Sequence, residues 1–388
     1  MKIHKISITN SFHYLSILIG ALLLSGCGSK EPPPSNSLLP NSITDTIYID
    51  PDQDATKSWN MDIELIKLEL TPNSLLNEFE LYKYYNGRYY VRSNQENSIV
   101  CFDSTGQYLY RIHRPGKGKG EYKDIRYFEF DRDQNALFIL DIDRNRVIYY
   151  DLQKGDFLYE ELYINKMASI YRIHDWEYVY SAYAGYKLDY VTLYNLYFHN
   201  LNNPAATSHR YFPYSRNTDI VMSADPLKYY DNDTLIYNEK YDNTIYHLKD
   251  SLFIPRYYVD FGSANIPNDY NLEVRDPLEI YDDIKDKGFA NLVSVVDHPL
   301  YLHFSYRYKG HVRMLFYNTA SADQYVFDTL SVAGMKLYNA YIAGSTPEWF
   351  WGNINASQLL KDNPDHPQVR SLEIDENSNP VIFKIKPR

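Results

Sequence analysis

Cysteine is nearly absent from this chain of 388 residues, which contains only Cys27 and Cys101. Two cysteines form at most one bridge, so a fold held together by a framework of disulfides is excluded. A chain of this length buries enough apolar surface to be stable without such bridges. Cys101 lies in an apolar run, and we expect it to pack as a small buried hydrophobic side chain.

Clusters of basic residues are also missing. The sequence has 39 Lys and Arg against 50 Asp and Glu, which gives a formal net charge of −11. Proteins that bind nucleic acid carry a basic patch or stripe that attracts phosphates, and this acidic chain lacks one. We therefore expect no nucleic acid among its partners.

Long helical patterns are rare, and only residues 277–287 and 356–361 favour helix. Elsewhere, short runs rich in Tyr, Ile, Val and Phe alternate with turn signals such as Asn86-Gly87 at intervals of about ten residues, which is typical of short antiparallel strands. The 41 tyrosines suit this arrangement. An aromatic ring packs on a sheet while its hydroxyl reaches water. The sequence predicts an all-β fold.

A short motif recurs along the chain. It is clearest at residues 97–109 and 145–158, where Asn opens an apolar strand that ends in Asp and is followed by Gly. The spacing of about 50 residues, enough for four strands, predicts a six-bladed β-propeller with four-stranded antiparallel blades. The two longest intervals require insertions, and residues 262–289 supply one of them. Six copies can be aligned, beginning at Asn97, Asn145, Asn195 (or Tyr194), Asn243, Val312 and Asn379.

The two ends of the sequence predict how the ring closes. The sixth copy of the motif, at residues 379–388, is followed by no further strand, so this blade lacks its fourth strand. Residues 61–70 alternate apolar and polar side chains like a half-exposed outer strand. We predict that this N-terminal strand completes the sixth blade, closes the ring and covers an otherwise exposed edge.

The first 26 residues have the pattern of an export signal. Lys2 and Lys5 precede an apolar stretch, residues 14–24, that is too short to span a bilayer as a helix. The stretch ends in Leu24-Ser25-Gly26-Cys27, which matches the bacterial lipobox. We predict that the thiol of Cys27 carries a diacylglycerol anchor.

This signal divides the chain into a lipoprotein signal peptide at residues 1–26, a tether at residues 27–42 and a single propeller domain at residues 43–388. Residues 28–37 of the tether contain three prolines and nothing to bury, so the tether is expected to be extended. The membrane would be contacted through the lipid anchor only. Gly28 rather than Asp follows the cysteine, so we expect an outer-membrane lipoprotein of the cell envelope, either facing the periplasm or exposed at the surface.

The stretch from Asn97 to Asp151 includes Gly-Lys-Gly-Lys-Gly-Glu-Tyr at residues 116–122, between two copies of the motif. It resembles the six-bladed β-propeller lipoproteins of Gram-negative bacteria, which are relatives of the NHL-repeat propellers. The likeness is clear over residues 79–163, although Lys119 stands where that family usually has proline. The resemblance implies the propeller architecture and an envelope location. That family has no settled activity, so ligand binding is an expectation.

Two kinds of loop invite comparison with ligand sites. The glycine-rich loop at residues 114–122 could cradle a phosphate, but it lacks Gly-Lys-Ser/Thr and a following helix, which favours an inter-blade connection. Residues 131–135 and 141–145 both read Asp-x-Asp-x-Asn, the opening of a calcium loop. They lack the later Gly and Glu of an EF-hand. Tight turns between strands are favoured, with Ca²⁺ binding as the alternative.

Aromatic residues supply the candidate binding site. Trp349 and Trp351 lie close together, and Tyr186 and Tyr190 belong to a tyrosine-rich stretch. Aromatic rings stack on sugar rings and apolar side chains, so these four residues are predicted to bind a glycan or a peptide. Core packing between blades is the alternative. The histidines are scattered and no Gly-x-Ser-x-Gly elbow occurs, so no catalytic residue is indicated.

These features favour a lipid-anchored binding module whose partner is an envelope protein, a glycan or a peptide, with neither catalysis nor a cofactor. The alternative is a metal-dependent propeller enzyme, similar to lactonases and lyases among related propellers, with its site in the central channel. Such an enzyme needs carboxylates, Asn or His from several first strands, for example near Glu129 or His174.

Overall fold

The computed structural model describes residues 45–76, 81–163, 169–180, 194–202, 208–213, 227–229, 234–239, 241–249, 252–267, 270 and 277–387. These residues form short β-strands with a few short helices, as the sequence predicts. None of the helices in this part of the chain is long and apolar enough to cross a membrane.

Six antiparallel sheets arranged in a ring form the six-bladed β-propeller that the repeat predicts. Two strands precede the first blade in the chain: β1 (Asp45–Tyr48) and β2 (Asp62–Lys67). Blade 1 consists of β3 (Leu81–Tyr85), β4 (Arg88–Ser93), β5 (Ser98–Asp103) and β6 (Tyr108–Ile112). Blade 2 consists of β7 (Tyr127–Asp131), β8 (Ala136–Asp141), β9 (Arg146–Asp151) and β10 (Phe157–Leu162). Blade 3 consists of β11 (Ser169–Ile173), β12 (Trp176–Tyr180), β13 (Tyr194–Asn200) and β14 (Ser208–Pro213).

Blades 4 to 6 complete the ring, and a small hairpin of two strands lies between blades 5 and 6 in the chain. Blade 4 consists of β15 (Leu227–Tyr229), β16 (Leu235–Tyr237), β17 (Thr244–Lys249) and β18 (Leu252–Asp260), and blade 5 of β19 (Asn291–Asp297), β20 (Tyr301–Tyr308), β21 (His311–Asn318) and β22 (Gln324–Phe327). The hairpin is formed by β23 (Leu330–Val332) and β24 (Met335–Leu337). Blade 6 contains β25 (Tyr341–Ser345), β26 (Phe350–Ile354) and β27 (Val381–Lys386).

The aligned motif copies are confirmed as the third strands of the six blades: β5, β9, β13, β17, β21 and β27. The residue before the strand has a left-handed backbone at Asn97 (φ 47°) and Asn145 (φ 52°), which Asn tolerates better than most side chains. Neighbouring blades cover both faces of each sheet, which explains why every residue of β8 is buried. Cys101, in β5, is fully buried as expected, and burial raises the pKa of its thiol to about 11.

The first strand of each blade is the innermost. β7 contacts β11, and β25 contacts both β3 and β19, so these strands meet around the axis of the ring. In a propeller, such strands line the central channel. Any side chain on their inner edge can therefore contribute to a site in that channel.

The N-terminal strand closes the ring as predicted. β2 pairs antiparallel with β27, with Asp62 opposite Lys386 and Lys67 opposite Val381. It is the outermost strand of blade 6, whose other three strands come from the end of the chain. Ile66 is 5% exposed and packs in the core between blades 6 and 1.

A strap formed by residues 45–61 crosses the outside of blades 4 and 5 before reaching β2. It begins with β1, which pairs parallel with β18 as a fifth strand of blade 4. Farther along, Arg313 of β21 donates a hydrogen bond to the carbonyl of Pro51 (2.8 Å), and the ring of Trp59 lies 4.4 Å from that of Phe316. β1 was not predictable from the sequence, because a four-residue parallel strand has no turn signal or clear alternation.

The two long intervals between copies of the motif, which follow the fourth and the fifth copy, contain insertions. The first holds a 3-10 helix (Gly262–Ala264) and helix α1 (Pro277–Asp286), and the second holds the β23–β24 hairpin and helices α2 (Ala356–Asp362) and α3 (Pro367–Ser371). Helices α1 and α2 confirm the two predicted helices. The five-residue α3 and the three-residue strands of the hairpin are too short to show a period in the sequence.

The glycine-rich loop connects blades 1 and 2, as predicted. Its backbone N–H groups are used internally: Gly118 donates to Glu121 Oε2 (2.7 Å) and Gly120 to Glu160 Oε2 (3.1 Å). Gly120 has a φ of 69°, and a Cβ there would lie 2.5 Å from the ring of Phe157. Two carboxylates of the chain thus accept the hydrogen bonds from N–H groups that a phosphate would need.

Candidate functional site

Charged and aromatic side chains are concentrated on the inner strands of blades 1 to 4. The clearest contact joins the first two blades. Lys83 of β3 forms an ion pair with Glu129 of β7, and Tyr127 donates a hydrogen bond to the same carboxylate oxygen (2.9 Å). The ammonium also lies 4.5 Å from the centre of the Tyr127 ring. The side chain of Glu129 is only 4% exposed, so this carboxylate depends on Lys83 for its charge balance.

A second buried ion pair network joins blades 2 and 3. Arg172 of β11 lies 3.2 Å from Asp131 Oδ2 and 2.9 Å from Glu177 Oε2. It also hydrogen-bonds the hydroxyl of Tyr149. Burial opposes the charge of Arg172, but Tyr149 and Glu177 outweigh it and raise the pKa of the guanidinium above its ordinary value. The network is therefore permanently charged and holds the two blades together.

Arg132 lies between aromatic rings of two other blades. Its guanidinium carbon is 3.6 Å from the centre of the Tyr229 ring and 5.3 Å from that of Tyr85. The hydroxyl of Tyr229 donates to the backbone carbonyl of Arg172 (2.9 Å), which fixes the ring. Burial raises the pKa of Tyr229 well above its ordinary value, so it stays a neutral phenol. A stacked guanidinium keeps its in-plane N–H donors directed outward.

Lys228 of β15 points from blade 4 towards blade 5. Its ammonium donates a hydrogen bond to the carbonyl of Val295 in β19 (3.2 Å). In the part of the chain that the structure describes, no carboxylate oxygen lies within 4.0 Å of this ammonium. The nearby imidazole of His303 is buried, which lowers its pKa to about 3. The carbonyl of Val295 and the imidazole of His303 are therefore neutral neighbours of Lys228.

Blades 5 and 6 present a different inner surface. Asp297 is the single charged residue of β19 and β25, and it lies 3.0 Å from His247 Nε2. Asp297 itself is buried; the partly exposed residues of these strands are the small ones Val293, Ser294, Ala343, Gly344 and Ser345, and Tyr341 is exposed. The innermost strands therefore carry charges and tyrosines in blades 1 to 4 and mostly small partly exposed residues in blades 5 and 6.

Neither of the two predicted tryptophans lies on an innermost strand. Trp351 is 4% exposed and packs between blades 6 and 1, with its ring 6.0 Å from that of Tyr89. Trp349 is partly exposed in the turn after β25, and Lys384 Nζ lies 4.6 Å from its ring centre. Tyr186 and Tyr190, like Cys27, lie outside the described residues. The predicted binding role of these aromatic residues stays a prediction.

The carboxylate and histidine suggested for a metal site do not meet. Glu129 is paired with Lys83, whereas His174 is in an exposed turn, 3.8 Å from Asp133. Asp131 and Asp141, which open the two calcium-like sequences, accept backbone N–H groups in turns or between loops. Across the described ranges, no group of three or more His, Cys, Asp or Glu is placed to hold a metal ion.

Lys83, Arg132, Lys228 and Tyr229 were not identified from the sequence. Only their position within the repeat could have indicated them, because each belongs to the first strand of a blade or to the turn that follows it. Counting back from the recurring third strand would have located these strands. It would not have shown which side chains of different blades meet.

Comparisons with known proteins agree with the fold. None of the curated proteins matches the chain. Among solved structures, a Bacteroides fragilis protein that its name describes as exported is 15% identical, with a TM-score of 0.72, and the alignment covers 88% of this chain and 99% of that one.

A Bacteroides vulgatus member of the DUF4221 family is 12% identical with a TM-score of 0.49, covering 85% of this chain and 99% of its own. A family described as "Domain of unknown function (DUF4934)" matches residues 46–386, which include every described strand except the first residue of β1. The chain therefore belongs to the DUF4934 family.

Proposed function

We propose that this protein is a binding module of the cell envelope whose ligand occupies the central channel. The observation that carries the proposal is the asymmetry of the inner strands. Cations and tyrosines lie on or next to the innermost strands of four blades, and the partly exposed residues on the innermost strands of the other two blades are mostly small, which favours a ligand held by polar groups in the channel. Concave sites with a few converging polar groups are the usual form of ligand sites.

Binding is favoured over metal-dependent catalysis by the state of the inner carboxylates. Glu129 is neutralised by Lys83, and Asp131 by Arg172. A metal ion recruited by either carboxylate would have to break a buried pair and leave a cation without its partner, which costs about 3–5 kcal/mol. A metal-dependent enzyme would therefore have to form its metal site at the expense of these ion pairs.

The envelope location is part of the proposal. The lipobox at Cys27 and the proline-rich residues 27–42 support a lipid-anchored chain, and the similar Bacteroides fragilis protein carries a name that describes it as exported. The test is metabolic labelling of cells with a radioactive fatty acid. The wild-type chain should incorporate label and fractionate with outer membranes, whereas Cys27→Ser should not be labelled. Equal labelling of both chains would contradict the anchor.

The aromatic residues remain a second proposed surface for a glycan or a peptide. Trp349 keeps a partly exposed ring beneath Lys384, and such a ring can stack on a sugar. Tyr186 and Tyr190 would belong to this surface only if the chain brings them near Trp349. The channel site and this surface are distinguished by substitution.

The binding test uses the full chain in detergent, screened against a glycan array and an array of envelope-protein peptides. Arg132→Ala should remove binding if the ligand occupies the channel, and Trp349→Ala should leave it unchanged. The reverse result would place the ligand on the aromatic surface. Failure of every ligand to bind above background would overturn the proposed function.

The metalloenzyme alternative is tested separately by elemental analysis. Purified protein, and protein incubated with Ca²⁺ or Zn²⁺ and then desalted, should retain no stoichiometric metal. Glu129→Gln should not change this result. Retention of one metal per chain that is lost in Glu129→Gln would favour the enzyme over the binding module.

A further inference from the structure

We infer that Lys228 binds a carboxylate of an acidic sugar chain in the central channel. This inference rests on the proposed function, because it names the ligand class of the same site. Lys228 lies on the innermost strand of blade 4, is partly buried and directs its ammonium towards blade 5, where the inner side chains are small.

The contrast with the other channel cations is the main support. Lys83 is paired with Glu129, and Arg172 has three carboxylates within 3.5 Å. Lys228 has the carbonyl of Val295 as its hydrogen-bond partner, and the carboxylate nearest in sequence to that carbonyl, Asp297, faces His247 instead. Among the described residues, Lys83 and Arg172 are paired with carboxylates and Arg132 stacks on aromatic rings, whereas Lys228 has no carboxylate oxygen within 4.0 Å.

A partly buried ammonium without a counter-charge is unfavourable, because desolvation weakens its interaction with water. The chain is acidic, with 50 Asp and Glu, so a carboxylate partner would be readily supplied if the position served stability alone. A ligand that brings its own carboxylate would complete the arrangement. Charge-assisted hydrogen bonds from an ammonium to a carboxylate are about twice as strong as neutral ones.

The groups around Lys228 favour a sugar over a peptide. Ser294 lies on the facing strand β19, next to Val295, whose carbonyl accepts from Lys228. A serine hydroxyl and a backbone carbonyl match the hydroxyl groups of a sugar. On this facing strand the largest partly exposed aliphatic side chain near the channel is Val293, so it offers little apolar contact to the side chains of a peptide.

The experiment compares two ligands that differ only in charge. The full chain in detergent is titrated by calorimetry with a galacturonic acid oligomer and with the carboxyl-reduced oligomer of equal length. The acidic oligomer should bind at least about tenfold more tightly, as one charge-assisted contact predicts. Its affinity should fall as salt rises from 50 to 500 mM, since screening weakens the contact.

Two substitutions distinguish a ligand contact from a structural role. Lys228→Met should reduce the affinity for the acidic oligomer to that of the reduced one, while the melting temperature of the free protein stays the same or rises. Lys83→Met is the matched control, because it leaves the buried carboxylate of Glu129 without its cation and should lower the melting temperature. If Lys228→Met does not fold, Lys228→Gln and the salt dependence of the wild-type chain replace it.

Each result has a distinct meaning. Equal binding of both oligomers, or unchanged affinity in Lys228→Met, would overturn the inference while leaving the proposed function intact. Preferential binding of a Glu-rich peptide of equal charge would overturn the assignment to a sugar. Failure of both oligomers together with every ligand of the arrays would overturn the proposed function as well.

Discussion

Asn97 and Asn379 make equivalent hydrogen bonds across two different blade boundaries. Asn97 Oδ1 accepts the backbone N–H of Ile125 (2.9 Å), and its Nδ2 donates to the carbonyl of Lys123 (3.0 Å). Asn379 Oδ1 accepts the N–H of Leu76 (2.9 Å), and its Nδ2 donates to the carbonyl of Ser74 (2.8 Å). In both cases an Asn one or two residues before a third strand holds the loop that leads into the next blade.

We predict that Asn379→Ala lowers the free energy of unfolding by about 1–3 kcal/mol, because it removes a buried amide and leaves backbone groups without partners. Urea denaturation followed by circular dichroism measures the change. Asn377→Ala, at an exposed position two residues away, should stay within about 0.5 kcal/mol of wild type. Similar losses in the two variants would show that Asn379 does not hold the boundary.

The stability of the whole ring should depend on β2, the strand that closes it. Deletion of residues 62–70 should lower the melting temperature in a single transition, because blade 6 loses its outer strand and exposes an edge. Ile66→Ala is a milder change than the deletion and should lower the free energy of unfolding by about 2–5 kcal/mol, since Ile66 is buried between blades.

Glu64→Ala is the control for the closing strand. Glu64 lies on the outer face of the same strand with a side chain that is 60% exposed, so its removal should have little effect. An unchanged melting temperature in the deletion variant would contradict closure by β2.

The buried network of Arg172 should be sensitive to the loss of its cation. Arg172→Met removes one positive charge and leaves Asp131 and Glu177 buried side by side, which should cost about 3–5 kcal/mol. The exposed pair of Arg370 and Asp365 provides the comparison, and Arg370→Ala should change stability by less than about 1 kcal/mol. Equal effects in both variants, measured by urea denaturation, would argue against a role for the network in joining the blades.

Acid should destabilise the propeller through two histidines of blade 5. Burial lowers the pKa of His303 to about 3 and that of His298 to about 4, against an ordinary value of 6.5. Between these values and 6.5 the unfolded chain binds more protons than the folded one, so stability is full above pH 6.5 and falls as the pH decreases towards 4.

This pH dependence is measured by the free energy of unfolding at pH 7.5, 6, 5 and 4.5. Its slope should decrease in His303→Gln, whereas substitution of the exposed His311 by Gln should leave the slope unchanged. If His303→Gln retains the wild-type slope, burial of a neutral imidazole is not the cause of the acid sensitivity.

The blade architecture was predictable because the same physical requirement recurs in every blade. An apolar strand covered on both faces recurs at a countable spacing, opened by a left-handed Asn in blades 1 and 2, and this spacing located all six third strands. The closing strand was predictable for a related reason, since residues 61–70 have a clear period of two.

The channel surface was not predictable, because it depends on contacts between blades. Arg132 lies in a sequence that resembles a calcium loop, yet its guanidinium stacks on Tyr229, which is far away in the chain. Trp351, one of the aromatic residues selected from the sequence, packs in the core between blades 6 and 1. A single sequence without aligned relatives shows residue types and spacing, but it does not distinguish an aromatic ring in a core from one on a surface.

The pairing of β2 with β27 has a consequence for the order of folding. Asp62 is synthesised early and its partner Lys386 almost last, so this contact has nearly the largest sequence separation that the chain permits. Pairings of this kind form slowly, because a long loop must close first. During synthesis, β2 must therefore stay without its partner until β27 has been made, and blades 1 to 5 can assemble before that pairing. A chain that stops before β27 would leave β2 without the strand it pairs with.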